Sequence, residues 1–141
     1  MPNGGVNYGS NVLFCVQGDS GPTPSGIYYL EEGATEATAL ITNYYGRPFN
    51  SPNDVVVGKR DGGIWFTDPM YGSDQGFRPP PQLPNQVYRF NPKTGDIRVV
   101  ADGFGRPNGI CFSPDETTIY ITDTDCIRSN AEKVSTRAST M

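Results

Sequence analysis

Pro52-Asn53-Asp54-Val55-Val56-Val57, followed by Ile64-Trp65-Phe66-Thr67-Asp68, returns 55 positions later as Pro107-Asn108-Gly109-Ile110-Cys111-Phe112, followed by Ile119-Tyr120-Ile121-Thr122-Asp123. The Pro, the Asn and the Thr-Asp pair recur at one offset, so the two copies are in register across two extended runs and the turn between them. A fixed period of this size marks a repeat architecture, in which each unit cannot bury its apolar face alone and stacks on its neighbours.

Within one period the chain reads as four extended runs and no helix. Asn53 to Val57 and Ile64 to Thr67 are the first two. Gln86-Val87-Tyr88-Arg89-Phe90 alternates apolar and polar, and Ile97-Arg98-Val99-Val100-Ala101 is rich in β-branched residues, as strands are. Asp61-Gly62-Gly63, Asn91-Pro92-Lys93-Thr94-Gly95 and Ser113-Pro114-Asp115 supply turn chemistry between them. Towards the amino terminus, Asn11 to Val16, Gly26 to Leu30 and Thr38 to Thr42 match the second, third and fourth runs, with Pro2-Asn3-Gly4 as a worn first-strand opening. The expected fold class is all-β, a partial β-propeller of four-stranded antiparallel blades.

Closing a propeller takes about four to eight blades. Here one nearly complete unit (residues 2 to 49), one complete unit (50 to 106) and the first half of a third (107 to 123) can be drawn. The propeller is therefore expected over residues 1–125. Residues 126–141 are almost free of apolar positions and read as a disordered tail or a segment foreign to the domain.

Composition excludes several functions. The net charge is −4 and the 11 basic residues are scattered, so there is no basic stripe and nucleic acid is not an expected partner. No apolar run is long enough to span a membrane, and Met1-Pro2-Asn3 opens neither a charged nor an apolar leader region; a soluble protein is expected and its compartment is left open. Histidine is absent and the three cysteines have no paired spacing, which removes finger-type zinc and Ser-His-Asp catalysis from this chain. Cys15 and Cys111 lie in apolar runs and read as small buried hydrophobes.

Chemistry is left to oxygen ligands. The innermost strand of each blade lines the central channel, and Asn53 and Asn108 open that strand in consecutive blades. Two amide oxygens offered to one point, joined by carboxylates from other blades, would make a hard site for calcium, magnesium or a similar divalent cation. The alternative is that each Asn caps a turn through an Asx-type bond. Asp54 is the one carboxylate adjacent to either Asn, as a channel residue or a turn-bonding one. Asp68 and Asp123, at the far end of the second strand, read as acceptors for backbone amides of a turn. The long connection holding Tyr71, Phe77, Arg78 and Pro79-Pro80-Pro81 is a candidate substrate rim, as loops on a rigid scaffold carry specificity. Arg47 is a further rim candidate, for the carboxylate of a sugar acid.

Asn50-Ser51-Pro52-Asn53-Asp54-Val55, Gly63-Ile64-Trp65-Phe66-Thr67-Asp68-Pro69-Met70-Tyr71-Gly72, Leu83-Pro84-Asn85-Gln86-Val87-Tyr88-Arg89-Phe90, Ala101-Asp102-Gly103-Phe104, Pro107-Asn108-Gly109-Ile110 and Phe112-Ser113-Pro114-Asp115 together resemble the SMP-30/gluconolactonase/LRE-like family, its fungal lactonohydrolase branch most of all. The resemblance covers residues 1 to about 125. It implies a six-bladed ring around one divalent cation, usually calcium, held by a Glu, Asn side chains and an Asp, and hydrolysis of sugar or aldonic-acid lactones with the cation polarising the lactone carbonyl. Asn53 matches the family's channel-facing Asn, a cation or substrate contact, and Asn108 matches a metal-ligand Asn. Asn3 falls in a blade not expected to supply a ligand, and the Glu and Asp have no counterpart here. The implied function is a section of a divalent-cation-dependent lactonase, inactive by itself, whose uncovered blade edges invite pairing with another chain. The alternative is a non-catalytic propeller section that serves binding or scaffolding.

Overall fold

The structure, a computed structural model, describes residues 1–125. The first antiparallel sheet runs β1 (Pro2–Tyr8), β2 (Asn11–Val16), β3 (Gly26–Leu30), β4 (Thr38–Ile41), in chain order. A small hairpin of β5 (Asn43–Tyr44) and β6 (Arg47–Pro48) leads to the second sheet. That sheet has β7 (Val55–Val57), β8 (Ile64–Asp68), β9 (Gln86–Phe90) and β10 (Ile97–Ala101), again neighbour to neighbour. A last hairpin pairs β11 (Pro107–Phe112) with β12 (Ile119–Asp123). Two four-stranded meanders and the opening hairpin of a third are the blade order expected of a partial propeller, and the sheets of the described residues do not close into a ring. The expected tail at residues 126–141 lies outside the described residues. Among those described, no helix is long and apolar enough to cross a membrane.

The sequence predicts no helix, yet one turn, α1 (Tyr71–Asp74), interrupts the long connection after β8. It is too short to show helical periodicity and owes its form to docking: the Met70 N–H donates to Asn85 Oδ1 at 2.9 Å and the Gly72 N–H to Ser51 Oγ at 2.9 Å. The β5/β6 hairpin is also absent from the sequence reading. Tyr45 (φ 48°) and Gly46 (φ 82°) make its two-residue turn, the positive-φ pair that suits strand twist, and Asn43 Oδ1 accepts the Gly46 N–H at 3.0 Å.

The run Val55-Val56-Val57 is apolar throughout because the second sheet is covered on both faces. Successive side chains of a strand point to opposite sides. Val55, Ile64, Phe66, Tyr88 and Phe90 face the first sheet, where they join Leu13, Cys15 and Ile27 in one core together with Phe49 and Leu83. Val56, Trp65 and Val87 face the third unit and meet Ile110, Ile119, Ile121 and Phe104. Aromatic pairs reinforce each layer: Phe66 stacks on Tyr88 with ring centroids 5.4 Å apart, and Trp65 meets Phe112 edge-on at 5.5 Å.

The inner strands approach closely. The Gly4 N–H donates to the Asn53 carbonyl at 2.8 Å. A side chain on Gly4 would put its Cβ 2.5 Å from Asp54 Oδ1 and 2.6 Å from the Asn53 carbonyl oxygen, so only glycine allows the two blades this contact. At the strands' far end, Glu116, with φ 53°, reaches back to accept the Lys59 and Arg60 N–H groups at 2.9 to 3.3 Å.

Candidate functional site

The repeated Asn stands at a repeated irregularity. In the first and third units the pairing of inner and second strands slips by one residue between Pro2 and Gly5 and between Pro107 and Ile110. In the second unit Asn53 and Asp54 together face Thr67: the Asn53 N–H donates to the Thr67 carbonyl at 3.0 Å and the Thr67 N–H to the Asp54 carbonyl at 3.1 Å. Two residues opposing one is a bulge, a device that re-aims a side chain beside functional sites.

Thr67 also ties the two asparagines together. Its carbonyl holds the Asn53 N–H, its hydroxyl donates to the Asn108 carbonyl at 2.6 Å, and the same oxygen accepts the Asp54 N–H at 3.2 Å. Both main-chain groups of Asn53 are thus bonded, by Thr67 and Gly4. Its side chain, in a residue only 9% exposed, has no hydrogen-bond partner among the described residues. Asn108 is half-buried, and its Nδ2 donates to Tyr71 Oη at 3.4 Å. Among the described residues neither side chain makes the Asx-type backbone bond that the turn-capping alternative requires.

That capping is done by the acids after the threonines. Asp68 takes the Asn50 N–H on Oδ2 and the Ser51 N–H on Oδ1, both at 2.9 Å. Asp123 repeats the pattern on Gly105 at 3.0 Å and Arg106 at 2.8 Å. Both fulfil the expectation of turn acceptors, and each fixes the loop that leads into its blade's inner strand. Burial pushes the Asp68 carboxyl up to about 7, against the opposing pull of the Asn50 and Ser51 amides and the charge of Arg78. Asp54 joins two blades: Oδ1 accepts its neighbour Val55's N–H at 2.9 Å and Oδ2 the Ile110 N–H at 2.9 Å.

The rim candidates separate. Tyr71, on α1, reaches Asn108 and also hydrogen-bonds Thr124 Oγ1. Arg78 is turned inward, its guanidinium bonding the Asn50, Asp19 and Phe49 carbonyls and Ser25 Oγ at 3.0 to 3.3 Å. It serves as a staple between the first two blades, with its stem packed on Gly72. Arg47 is exposed on the β5/β6 hairpin and no bond among the described residues links it to the asparagines.

Residues 9–139 match the SMP-30/Gluconolactonase/LRE-like region. The chain belongs to this family. Lactonohydrolase oryL of Aspergillus oryzae is 45% identical over 100 residues, 70% of this chain and 23% of that protein. A gluconolactonase of Zymomonas mobilis is 38% identical over 93 residues, 64% of this chain and 25% of that one. The solved structure of a Xanthomonas campestris gluconolactonase superposes with a TM-score of 0.76 at 35% identity, covering 90% of this chain and 42% of its own. The chain thus spans about a quarter of the length of these curated relatives.

The divalent cation associated with the SMP-30/gluconolactonase family can be tested against the side chains present. Among the described residues no three acids or thiols gather as a cation-holding group. Asp54, Asp68 and Asp123 are committed to backbone amides. The two asparagines do fit, as neutral oxygen donors on anchored backbone, with the anionic share of the ligands supplied from elsewhere. The sequence reading singled out both asparagines as candidates and missed Thr67 as the residue that joins them; its recurrence with Asp was the available signal. The contact of Tyr71 with Asn108 left no sequence signal, because 37 residues separate them.

Proposed function

We propose that this chain is a section of a divalent-cation-dependent lactonase, with calcium as the cation, that opens sugar or aldonic-acid lactones, and that Asn53 and Asn108 are ligands at its cation site. The observation that carries this reading is the anchoring of both asparagines on Thr67, which commits their backbones and leaves the amide of Asn53 without a partner among the described residues. The likeness to lactonohydrolases and gluconolactonases supports the class of substrate. A divalent cation bound there supplies Lewis-acid polarisation of the lactone carbonyl. Asn53 and Asn108 contribute by being uncharged, since neutral ligands leave more of the positive charge for the substrate. Asp54 holds the Ile110 end of β11 to the second blade and so sets the spacing of the two asparagines. Tyr71 lies at the substrate rim. Two neutral donors bind calcium poorly without carboxylate partners, so the 141 residues alone are expected to be inactive.

The test is acid release from gluconolactone, followed with a pH indicator, by this chain alone and by the chain joined to the remaining blades of a lactonohydrolase relative. The joined protein should hydrolyse the lactone faster than the spontaneous rate, lose that activity to a chelator and regain it with calcium. Asn108→Ala should lower the rate by about 100-fold or more. Chelator-resistant activity, or full activity in Asn108→Ala, would remove the asparagine from the ligand set. A joined protein that folds and binds lactone without turnover would favour the non-catalytic alternative.

A further inference from the structure

A directional chain of hydrogen bonds ends on Asn108. The Thr124 hydroxyl donates to the Arg106 carbonyl at 3.3 Å, and a carbonyl can only accept, so the one proton of that hydroxyl is committed. Tyr71 Oη is hydrogen-bonded to the same Thr124 oxygen, which can now only accept, so the phenol is the donor there. The phenol's proton being spent, its oxygen meets Asn108 as an acceptor and takes the Nδ2–H at 3.4 Å. A turned-over amide would set Asn108 Oδ1 against an oxygen with no proton left to give.

The phenol itself is fixed from both sides. Asp74, at the end of α1, pairs with Arg106 Nε at 2.8 Å, and Asn85, which caps Met70, also donates to the Gly105 carbonyl at 2.7 Å. The Gly72 N–H is held by Ser51 Oγ. The helical turn is thereby docked on the inner-strand loops of its own blade and of the next.

We infer that Tyr71 is a positioning residue that sets the side-chain amide of Asn108, so that Oδ1 and not Nδ2 is the atom offered away from α1. The inference rests on the reading of Asn108 as an oxygen ligand. An amide has one end that can ligate a cation and one that repels it, so an unconstrained Asn would present the wrong end part of the time. Residues behind a metal ligand that fix its orientation are worth about 10- to 100-fold in metal affinity.

Two measurements test this, both on the chain joined to the remaining blades of a lactonohydrolase relative, which supply the carboxylate share of the ligands. In 15N-labelled protein the Asn108 Nδ2 protons should show nuclear Overhauser contacts to the Tyr71 ring, and Tyr71→Phe, which keeps the ring and removes the oxygen, should weaken them; wild-type amide protons with no such contact would overturn the proposal whatever the cation does. Terbium luminescence, with terbium(III) standing in for a divalent cation, then reads affinity. Tyr71→Phe should weaken binding about tenfold without lowering the melting temperature of the cation-free protein by more than a few degrees. In an Asn108→Asp background, where both oxygens are alike, the same change should cost less than about twofold. If Asn108→Ala weakens terbium binding and Tyr71→Phe does not, the positioning role falls and the ligand stands. If wild type binds no terbium, or Asn108→Ala binds it equally, the ligand reading fails and the positioning role falls with it.

Discussion

Asp68 is fully buried and each of its oxygens holds one backbone N–H, yet the loss of water outweighs those bonds and pushes its carboxyl up to about 7. The raised value means that the folded protein binds this proton more tightly than the unfolded chain does. Its contribution to stability is therefore complete below about pH 4 and is lost as pH rises towards about 7. Denaturant midpoints of wild type and Asp68→Asn, compared across that window, should converge or cross as pH rises; a constant difference would show that the group does not titrate there. The acid's role was legible in the sequence because Thr-Asp recurs at a turn and Asp readily accepts backbone amides. The weakened acidity was not, because it depends on how completely the first two blades exclude water from one side chain.

The bulge is the element that matters most, and it was the least visible. Pattern reading ran the inner strand of the second unit from Asn53, whereas regular pairing begins at Val55 and the two residues before it share Thr67 as a partner. Alternation of apolar and polar residues identifies a strand but does not show where one extra residue is absorbed. The slip recurs at the same point in the first unit, where Cys15 occupies the place of Thr67 and no hydroxyl is available to grip the next blade. Burial, with the nearby charges of Asp54 and Asp68, drives the Cys15 thiol well above its usual range. Thr67→Val keeps the shape and removes the hydroxyl, leaving the Asp54 N–H and the Asn108 carbonyl without this partner. We expect a loss of about 1–3 kcal/mol in chemical denaturation, together with weaker cation affinity from the slackened backbone of Asn108. An unchanged midpoint would mean that water replaces the hydroxyl at no cost.

On the scale of the whole molecule, the strand order of both complete blades was legible because their apolar runs and turn residues are local signals. What joins the blades was not: the Gly4 contact with Asn53, the Arg78 staple and the Glu116 reach-back each link residues about 50 apart or more. These joints leave the second blade covered on both faces, with Ile64 and Phe66 in one core and Trp65 in the other. Such a blade cannot open without uncovering two layers, while the first sheet and the β11/β12 hairpin each share one layer with it among the described residues. Amide hydrogen exchange should follow that asymmetry, with the protons of Ile64–Asp68 and Gln86–Phe90 the last to be replaced by deuterium. Thr67, the anchor of both asparagines, lies inside that slowest stretch, so Asn53 should hold its place through fluctuations that have already loosened β11 and carried Asn108 with it.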